Sequence, residues 1–172
     1  KVKRNFRPGT DFMYSCLNFV TLQRILERVT GEKLYEYAQK HVFDVLGLKH
    51  TCYFPLIYDP AVSNSAELAR LCAPTEVQAD GKPLTAQVHD PMARRIMGGN
   101  SGNAGVFSNA EDLSVICAAL MNGGCLVDKK GSALESTRIL SPATVRLMTR
   151  IPSQNAPSVG RALGWDKKSP HS

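Results

Sequence analysis

At 172 residues, with 43% hydrophobic and 21% charged content, the chain is long enough for one domain with a sizeable core and too apolar to be disordered throughout. Its net charge of +6 comes from 21 basic against 15 acidic residues, with no basic stripe interleaved by aromatics, so nucleic-acid binding is not expected. The five cysteines, Cys16, Cys52, Cys72, Cys117 and Cys125, show no CxxC or Cys/His ligand spacing, and no apolar run reaches eighteen residues. A zinc site, a disulfide framework and a membrane span are therefore all disfavoured, and no metal or cofactor is expected.

In chain order, Pro8-Gly9 opens a turn before a segment with apolar residues Phe19, Leu22, Ile25, Leu26 and Val29 at helical spacing. Gly31 marks the stop of this first helix. A second helix is read from near Lys33, with Leu34, Tyr37, Ala38, Val42 and Val45 on one face and Gly47 at its end, and the two should form an antiparallel hairpin. Residues 52–88 carry Pro55, Pro60, Pro74 and Pro83 and an Asp80-Gly81 turn, which predicts loops and short strands. A third helix is expected behind a capping box of Ser108 and Glu111, packing Leu113, Ile116, Cys117, Leu120 and Met121 into the core before Gly123-Gly124. Cys117 reads there as a small buried hydrophobe. Arg138-Ile139-Leu140 reads as strand-like, and Ser141-Pro142 as the N-cap and first-turn proline of a short fourth helix with Val145 and Met148. The tail from Pro152 is polar and broken, with Ala162-Leu163-Gly164-Trp165 as the possible start of a strand.

Three stretches stand out, the first and third as candidates to carry chemistry and the second as a loop anchor. The first is Pro8-Gly9-Thr10-Asp11-Phe12-Met13-Tyr14-Ser15-Cys16, the second Ala73-Pro74-Thr75-Glu76, and the third runs from Val88-His89-Asp90-Pro91-Met92-Ala93 into residues 98–113, Gly98-Gly99-Asn100-Ser101-Gly102-Asn103-Ala104-Gly105-Val106-Phe107-Ser108-Asn109-Ala110-Glu111-Asp112-Leu113. The glycines let a backbone approach a ligand closely, but equally suit a tight turn into the next helix. They fit neither a P-loop nor a dinucleotide fingerprint. His89 and Asp90 are adjacent on an extended segment, where neighbouring side chains point to opposite faces, so both read as structural.

Together these stretches resemble the penicillin-binding-protein and class C β-lactamase superfamily of serine hydrolases. The first resembles its Pro-Gly-x-x-x-x-Tyr-Ser-Asn motif, and the last its Val-His-Asp-x-x-Ala and Gly-Gly-x-x-Gly-His-Ala-Gly-Leu-Phe-Ser-x-Ala-x-Asp-Leu run. The resemblance covers residues 8–165 and implies acyl transfer. A serine of Ser-x-x-Lys attacks a carbonyl, Tyr14 relays the proton, and a backbone oxyanion hole holds the developing charge. A tyrosine, with an ordinary pKa of about 10, does this only near positive charge. Cys16 stands where the family has Asn or Asp, and a thiol is a much poorer donor and acceptor. Asn103, at the position of a frequent His, begins the Asn103-Ala104-Gly105 part of the loop that borders the substrate cleft in relatives.

Neither Ser-x-x-Lys nor Lys-Thr-Gly, Lys-Ser-Gly or His-Thr-Gly occurs anywhere. With no initiating methionine, the chain is expected to be an internal fragment, residues 1–172 forming a single partial domain. The fold class implied is α-rich with a few short strands, the helical subdomain of the β-lactamase/transpeptidase-like α/β fold. Such a piece should expose an apolar face and self-associate through it, or pair with another segment. Two functions stay open. One is a segment of an enzyme acting on a small acyl substrate (β-lactam, D-alanyl peptide or ester), inert alone. The other is a non-catalytic binding or scaffolding relative. Resemblance alone suggests the cell envelope or periplasm.

Overall fold

The computed structural model describes residues 5–53, 70–150 and 161–165. The predicted loops over 54–69 and most of the polar tail lie outside the described residues. The chain divides into two compact units, one formed by residues 15–115 and the other combining the residues up to Tyr14 with those from Ile116 onward.

In the first unit, helix α1 spans Cys16–Thr30. Ser15 is its N-cap, the side-chain oxygen accepting from the Leu17 N–H at 3.2 Å. Gly31 ends it in the left-handed region at φ 76°, donating its N–H to the Glu27 carbonyl at 2.9 Å. The helix forms where its spacing predicts, but the face it buries is different. Leu17, Phe19, Leu22, Ile25 and Val29 are all exposed, and the buried residue is Gln23. The reason is chemical: the Gln23 amide has partners on a loop far along the chain, described below.

The second predicted helix is broken. Helix α2 covers only Leu34–Ala38, and a π-helical turn, Gln39–Phe43, follows, with the Asp44 N–H donating five residues back to Gln39 at 2.9 Å. A wider turn rotates the register of everything after it. Phe43, Leu46 and Leu48 are consequently buried, whereas Val42 and Val45 are half-buried. Glu27 links α1 to α2, accepting from Gln23 Nε2 at 3.1 Å and from the Leu34 N–H at 3.3 Å. Burial pushes the Glu27 carboxyl up, but the hydrogen bonds from Gln23 and Leu34, with Arg24 and Lys33 nearby, hold it below the usual range.

Strands β1 (Cys52–Tyr53) and β2 (Val106–Phe107) pair antiparallel, Cys52 opposite Phe107 and Tyr53 opposite Val106. The Asp80-Gly81 turn sits at the tip of a short two-legged arm, with Gln78 N–H on the Lys82 carbonyl at 2.8 Å and Leu84 N–H on Glu76 at 2.7 Å. Helix α3, Pro91–Ile96, was not anticipated by periodicity because it is less than two turns long. Its signals are nonetheless in the sequence: Asp90 is the N-cap, accepting from the Ala93 N–H at 2.7 Å, and Pro91 occupies the first turn.

Helix α4, Ala110–Met121, spans the boundary between the units. Its cap is Asn109, whose Oδ1 accepts from the Asp112 N–H at 2.8 Å, in place of the predicted Ser108 and Glu111 box. Ser108 is drawn instead to Thr51, the two hydroxyls lying 2.7 Å apart. The predicted apolar face is also corrected, since Leu113, Cys117 and Met121 are exposed and the buried positions are Asp112 and Ala119. A buried carboxylate in its first turn fixes which way this helix faces.

In the second unit, a short arm turns at residues 129–131, with Val127 bridged to Ala133. The predicted strand at 138–140 is absent: the N–H groups of Ile139 and Leu140 both reach the Gly124 carbonyl, at 2.9 and 3.3 Å. Arg138 binds the carbonyls of Gly123 and Leu140 at 3.1 Å each, so its guanidinium takes over acceptors that a strand partner would otherwise use. Helix α5, Pro142–Thr149, forms as predicted, Ser141 Oγ accepting from Thr144 N–H at 3.1 Å. Ala162-Leu163-Gly164-Trp165 is a turn, not a strand, with Ala162 N–H on the Trp165 carbonyl at 2.8 Å and Gly164 at φ 80°.

Candidate active site

The glycine-rich segment folds back on itself as a tight loop. Ser101 and Ala104 exchange both backbone hydrogen bonds at 3.2 Å, leaving Gly102 and Asn103 at the tip. The Asn103 amide oxygen accepts from Ser101 Oγ at 2.6 Å, so one end of this side chain is held within the loop. Ala104 is half-buried and Gly105 is buried, at φ 130°. A side chain at 105 would press on the Gly99 carbonyl and the Tyr53 ring, which explains the glycine.

The loop is seated on α1. Gly102 donates its N–H to Gln23 Oε1 at 3.0 Å, and Gln23 Nε2 donates to the Asn100 carbonyl at 3.2 Å. A Cβ on Gly102 would fall well inside contact distance of the Phe19 carbonyl oxygen. The loop backbone therefore lies directly against the first two turns of the helix that begins at half-buried Cys16. The Asn100 side-chain oxygen is buried without a hydrogen-bond partner among the described residues, an acceptor left open beside the loop.

Beside the loop is an open cleft. Its walls include Lys49, His50, Cys52 and Tyr53, then Cys72, Ala73 and Thr75, the 87–90 segment with His89 and Asp90, and residues 101–109. Burial pushes the Tyr53 phenol up, which keeps it protonated. His89 Nε2 lies 3.0 Å from Glu76 Oε2, and hydrogen bonds from His89 and Gln78 hold the Glu76 carboxyl down. Asp90 caps α3, so the adjacent pair divides into one surface hydrogen bond and one helix cap.

Asp112 holds the floor of this region together. Its Oδ2 accepts from the His50 N–H at 2.7 Å and from Thr51 Oγ1 at 2.8 Å, and Lys49 N–H reaches Oδ1 at 3.4 Å. Burial raises this carboxyl, but the donors from His50, Thr51 and Lys49 outweigh it and hold it below the ordinary value. Neither Gln23 nor Asp112 announces itself in the sequence as a functional position. Asp112 looks like a first-turn acid complementing the helix dipole, and a glutamine among leucines looks like helix surface.

Tyr14 lies in the other unit, just before the Ser15 cap, with 66% of its surface exposed. The Arg161 guanidinium carbon stands 5.7 Å from the Tyr14 ring centre and 5.6 Å from that of Phe12. This cation over two aromatic faces joins two distant parts of the sequence. The described residues hold no cluster of three or more His, Cys, Asp or Glu side chains able to bind a metal.

Residues 1–171 match the family model described as Beta-lactamase. A protein of Escherichia coli K12 named "Putative D-alanyl-D-alanine carboxypeptidase" is 31% identical over 165 residues, covering 93% of this chain and 36% of its own length. The chain thus spans about a third of the curated relatives it matches. Among solved structures, the octameric penicillin-binding protein homologue from Pyrococcus abyssi superposes with a TM-score of 0.56 at 20% identity, covering 86% of this chain and 28% of that one. The penicillin binding protein from Bacillus halodurans gives 0.53 at 20% identity, covering 84% and 36%. At this identity the two structures establish the fold, and the family model establishes the kinship. The chain belongs to the beta-lactamase family, within the penicillin-binding-protein and β-lactamase-like superfamily of serine hydrolases.

Proposed function

We propose that this chain is the helical-subdomain portion of a serine acyl hydrolase, residues 8–165 of a single partial domain, contributing Tyr14 as general base or acid and the Asn103-Ala104-Gly105 loop as one wall of an acyl-substrate cleft. The observation that carries the proposal is the seating of the glycine loop on α1 by Gln23 and Gly102, because it fixes the cleft wall against the helix that Tyr14-Ser15-Cys16 introduces. Substrates of the full-length protein are β-lactams, D-alanyl peptides or small esters, whose carbonyls a serine nucleophile attacks. That serine and its lysine are not among these residues, so this chain alone is inert.

A fluorescent penicillin tests both halves. The isolated chain should remain unlabelled, and a labelled serine found by mass spectrometry would refute its inertness. In the full-length protein, Tyr14→Phe should slow acylation by about 100-fold or more, the range for loss of a general acid-base group; an unchanged rate removes Tyr14 from the mechanism. The alternative, a non-catalytic scaffold, is favoured by Cys16 at the amide position and by the Asn103 oxygen being occupied by Ser101. A full-length protein that neither acylates nor turns over peptides and esters would decide for it.

The exposed apolar row of α1, Leu17, Leu22, Ile25 and Val29, belongs to the same proposal. In the full-length protein it packs against the remainder of the domain, and in the isolated chain against a second copy. Light scattering of the isolated chain should show species larger than a monomer. A strict monomer that binds no hydrophobic dye would overturn this.

A further inference from the structure

Tyr14 is too exposed, at 66% of its surface, for packing alone to fix its ring. An acid-base group must nonetheless be held within about an ångström of its working position, and looseness of that size costs up to about 100-fold in rate. What holds this ring is a cation. The Arg161 guanidinium carbon lies over it, 5.7 Å from the ring centre, and over the Phe12 ring at 5.6 Å, so that one group grips two faces. Phe12 and Tyr14 flank Met13, whose sulfur accepts from Asn5 Nδ2 at 3.3 Å.

Both sides of this clamp are anchored. Thr10 closes the turn before Phe12, its N–H and its hydroxyl reaching the Arg7 carbonyl at 3.2 and 2.8 Å. On the other side, the turn over residues 162–165 is tied to α5, because the Leu163 N–H donates to the Met148 carbonyl at 3.1 Å. Arg161 enters that turn half-buried, and it belongs to the same compact unit as Phe12 and Tyr14. A cation over the ring face leaves the hydroxyl, at the ring edge, uncovered.

We propose that Arg161 is a positioning residue for Tyr14, clamping the Phe12 and Tyr14 rings so that the Tyr14 hydroxyl is presented to the reacting groups in one orientation. The proposal rests on the reading of Tyr14 as the acid-base group of an acyl hydrolase. Arg161 is assigned no contact with substrate. It acts through the ring: a planar guanidinium stacks on an aromatic face, and this restricts side-chain rotation that an exposed tyrosine would otherwise have to give up at the transition state. Its loss should therefore slow the chemical step and leave substrate binding alone.

The test is acylation of the full-length protein by a fluorescent penicillin, quenched at short times so that the maximal rate and the half-saturating concentration are read separately. Arg161→Met, which keeps an extended side chain but removes the cation, should lower the maximal rate about 10-fold and hold the half-saturating concentration within about 2-fold. Arg161→Lys, which keeps a cation without the flat stacking group, should come within about 3-fold of the unaltered rate. In Tyr14→Phe the ring and the clamp remain and only the hydroxyl is gone, so adding Arg161→Met should slow the reaction no further. A clamp with a merely structural role would slow both backgrounds alike. That result, or Arg161→Met acylating at the unaltered rate beside a slowed Tyr14→Phe, would overturn the assignment of Arg161 alone. A full-length protein that takes no label, or a Tyr14→Phe variant at the unaltered rate, removes the acid-base reading of Tyr14 and this proposal with it. Phe12→Leu, which takes away half of the clamp, carries the same comparison where Arg161→Met fails to fold.

Discussion

Gly102→Ala is expected to lower the stability of this chain by about 2–3 kcal/mol, the upper range for forcing an added carbon into a packed site. The added carbon meets the Phe19 carbonyl and comes within 3.3 Å of the Gln23 Cβ, both belonging to α1. Gly102 is not among the residues at positive φ, so the cost comes from collision and not from an inaccessible backbone conformation. The side chain has no room to rotate away, because the offending atom is the Cβ itself. Relief requires the loop to lift off the helix, which stretches the 3.0 Å bond from Gly102 to Gln23 and the 3.2 Å bond from Gln23 to Asn100. Urea unfolding followed by far-ultraviolet circular dichroism measures the loss. A midpoint indistinguishable from that of the unaltered chain would mean that the loop does not sit on α1.

Asp112→Asn should be the most damaging replacement of any single carboxylate described. The carboxylate is an acceptor only, and its two oxygens meet three donors, the Lys49 and His50 N–H groups and the Thr51 hydroxyl. An amide presents a donor to one side of that cluster and leaves a buried group unsatisfied. The effect must also depend on pH in a fixed direction. The folded-state value of Asp112 lies below its ordinary value of 3.8, so the unfolded chain takes up the proton more readily than the folded one. The contribution is complete above the unfolded value and is lost as pH falls through the folded one. The gap in urea midpoint between the unaltered chain and Asp112→Asn should therefore be full from neutrality down to about pH 5 and narrow below pH 4. A gap that stays constant from pH 7 to pH 3 would show that Asp112 is not the acceptor described.

Both residues show where sequence reading reaches and where it stops. The positions of α1, α4 and α5 follow from 3.6-residue spacing and from turn residues such as Gly31 and Ser141-Pro142, whose effects are local. The Asp80-Gly81 turn follows for the same reason. Which side of each helix is buried does not. Hydrophobic periodicity places Leu22, Ile25 and Val29 inward, yet the Gln23 amide has two partners across 77 and 79 positions, and it is Gln23 that is buried. In α4 the capping residue moves from Ser108 to Asn109 because the Ser108 hydroxyl is taken by Thr51, 57 positions earlier. The second helix breaks at a π turn that no residue between Lys33 and Gly47 announces.

The sequence by itself determined the kinship, because Pro8-Gly9 to Cys16, Ala73 to Glu76 and the run from Val88 to Leu113 are contiguous motifs readable without coordinates. It also marked Tyr14, Cys16, Asn103, Ala104 and Gly105 as the residues to look at. Only the tertiary structure decided that Gly102 must be glycine because α1 lies against it, and that Asp112 holds the Lys49 to Thr51 segment. It alone placed Arg161 over Tyr14. The physical reason is range. Caps, turns and periodicity act over about four residues, whereas a hydrogen bond or a steric contact acts over a few ångströms between any two points that the folded chain brings together.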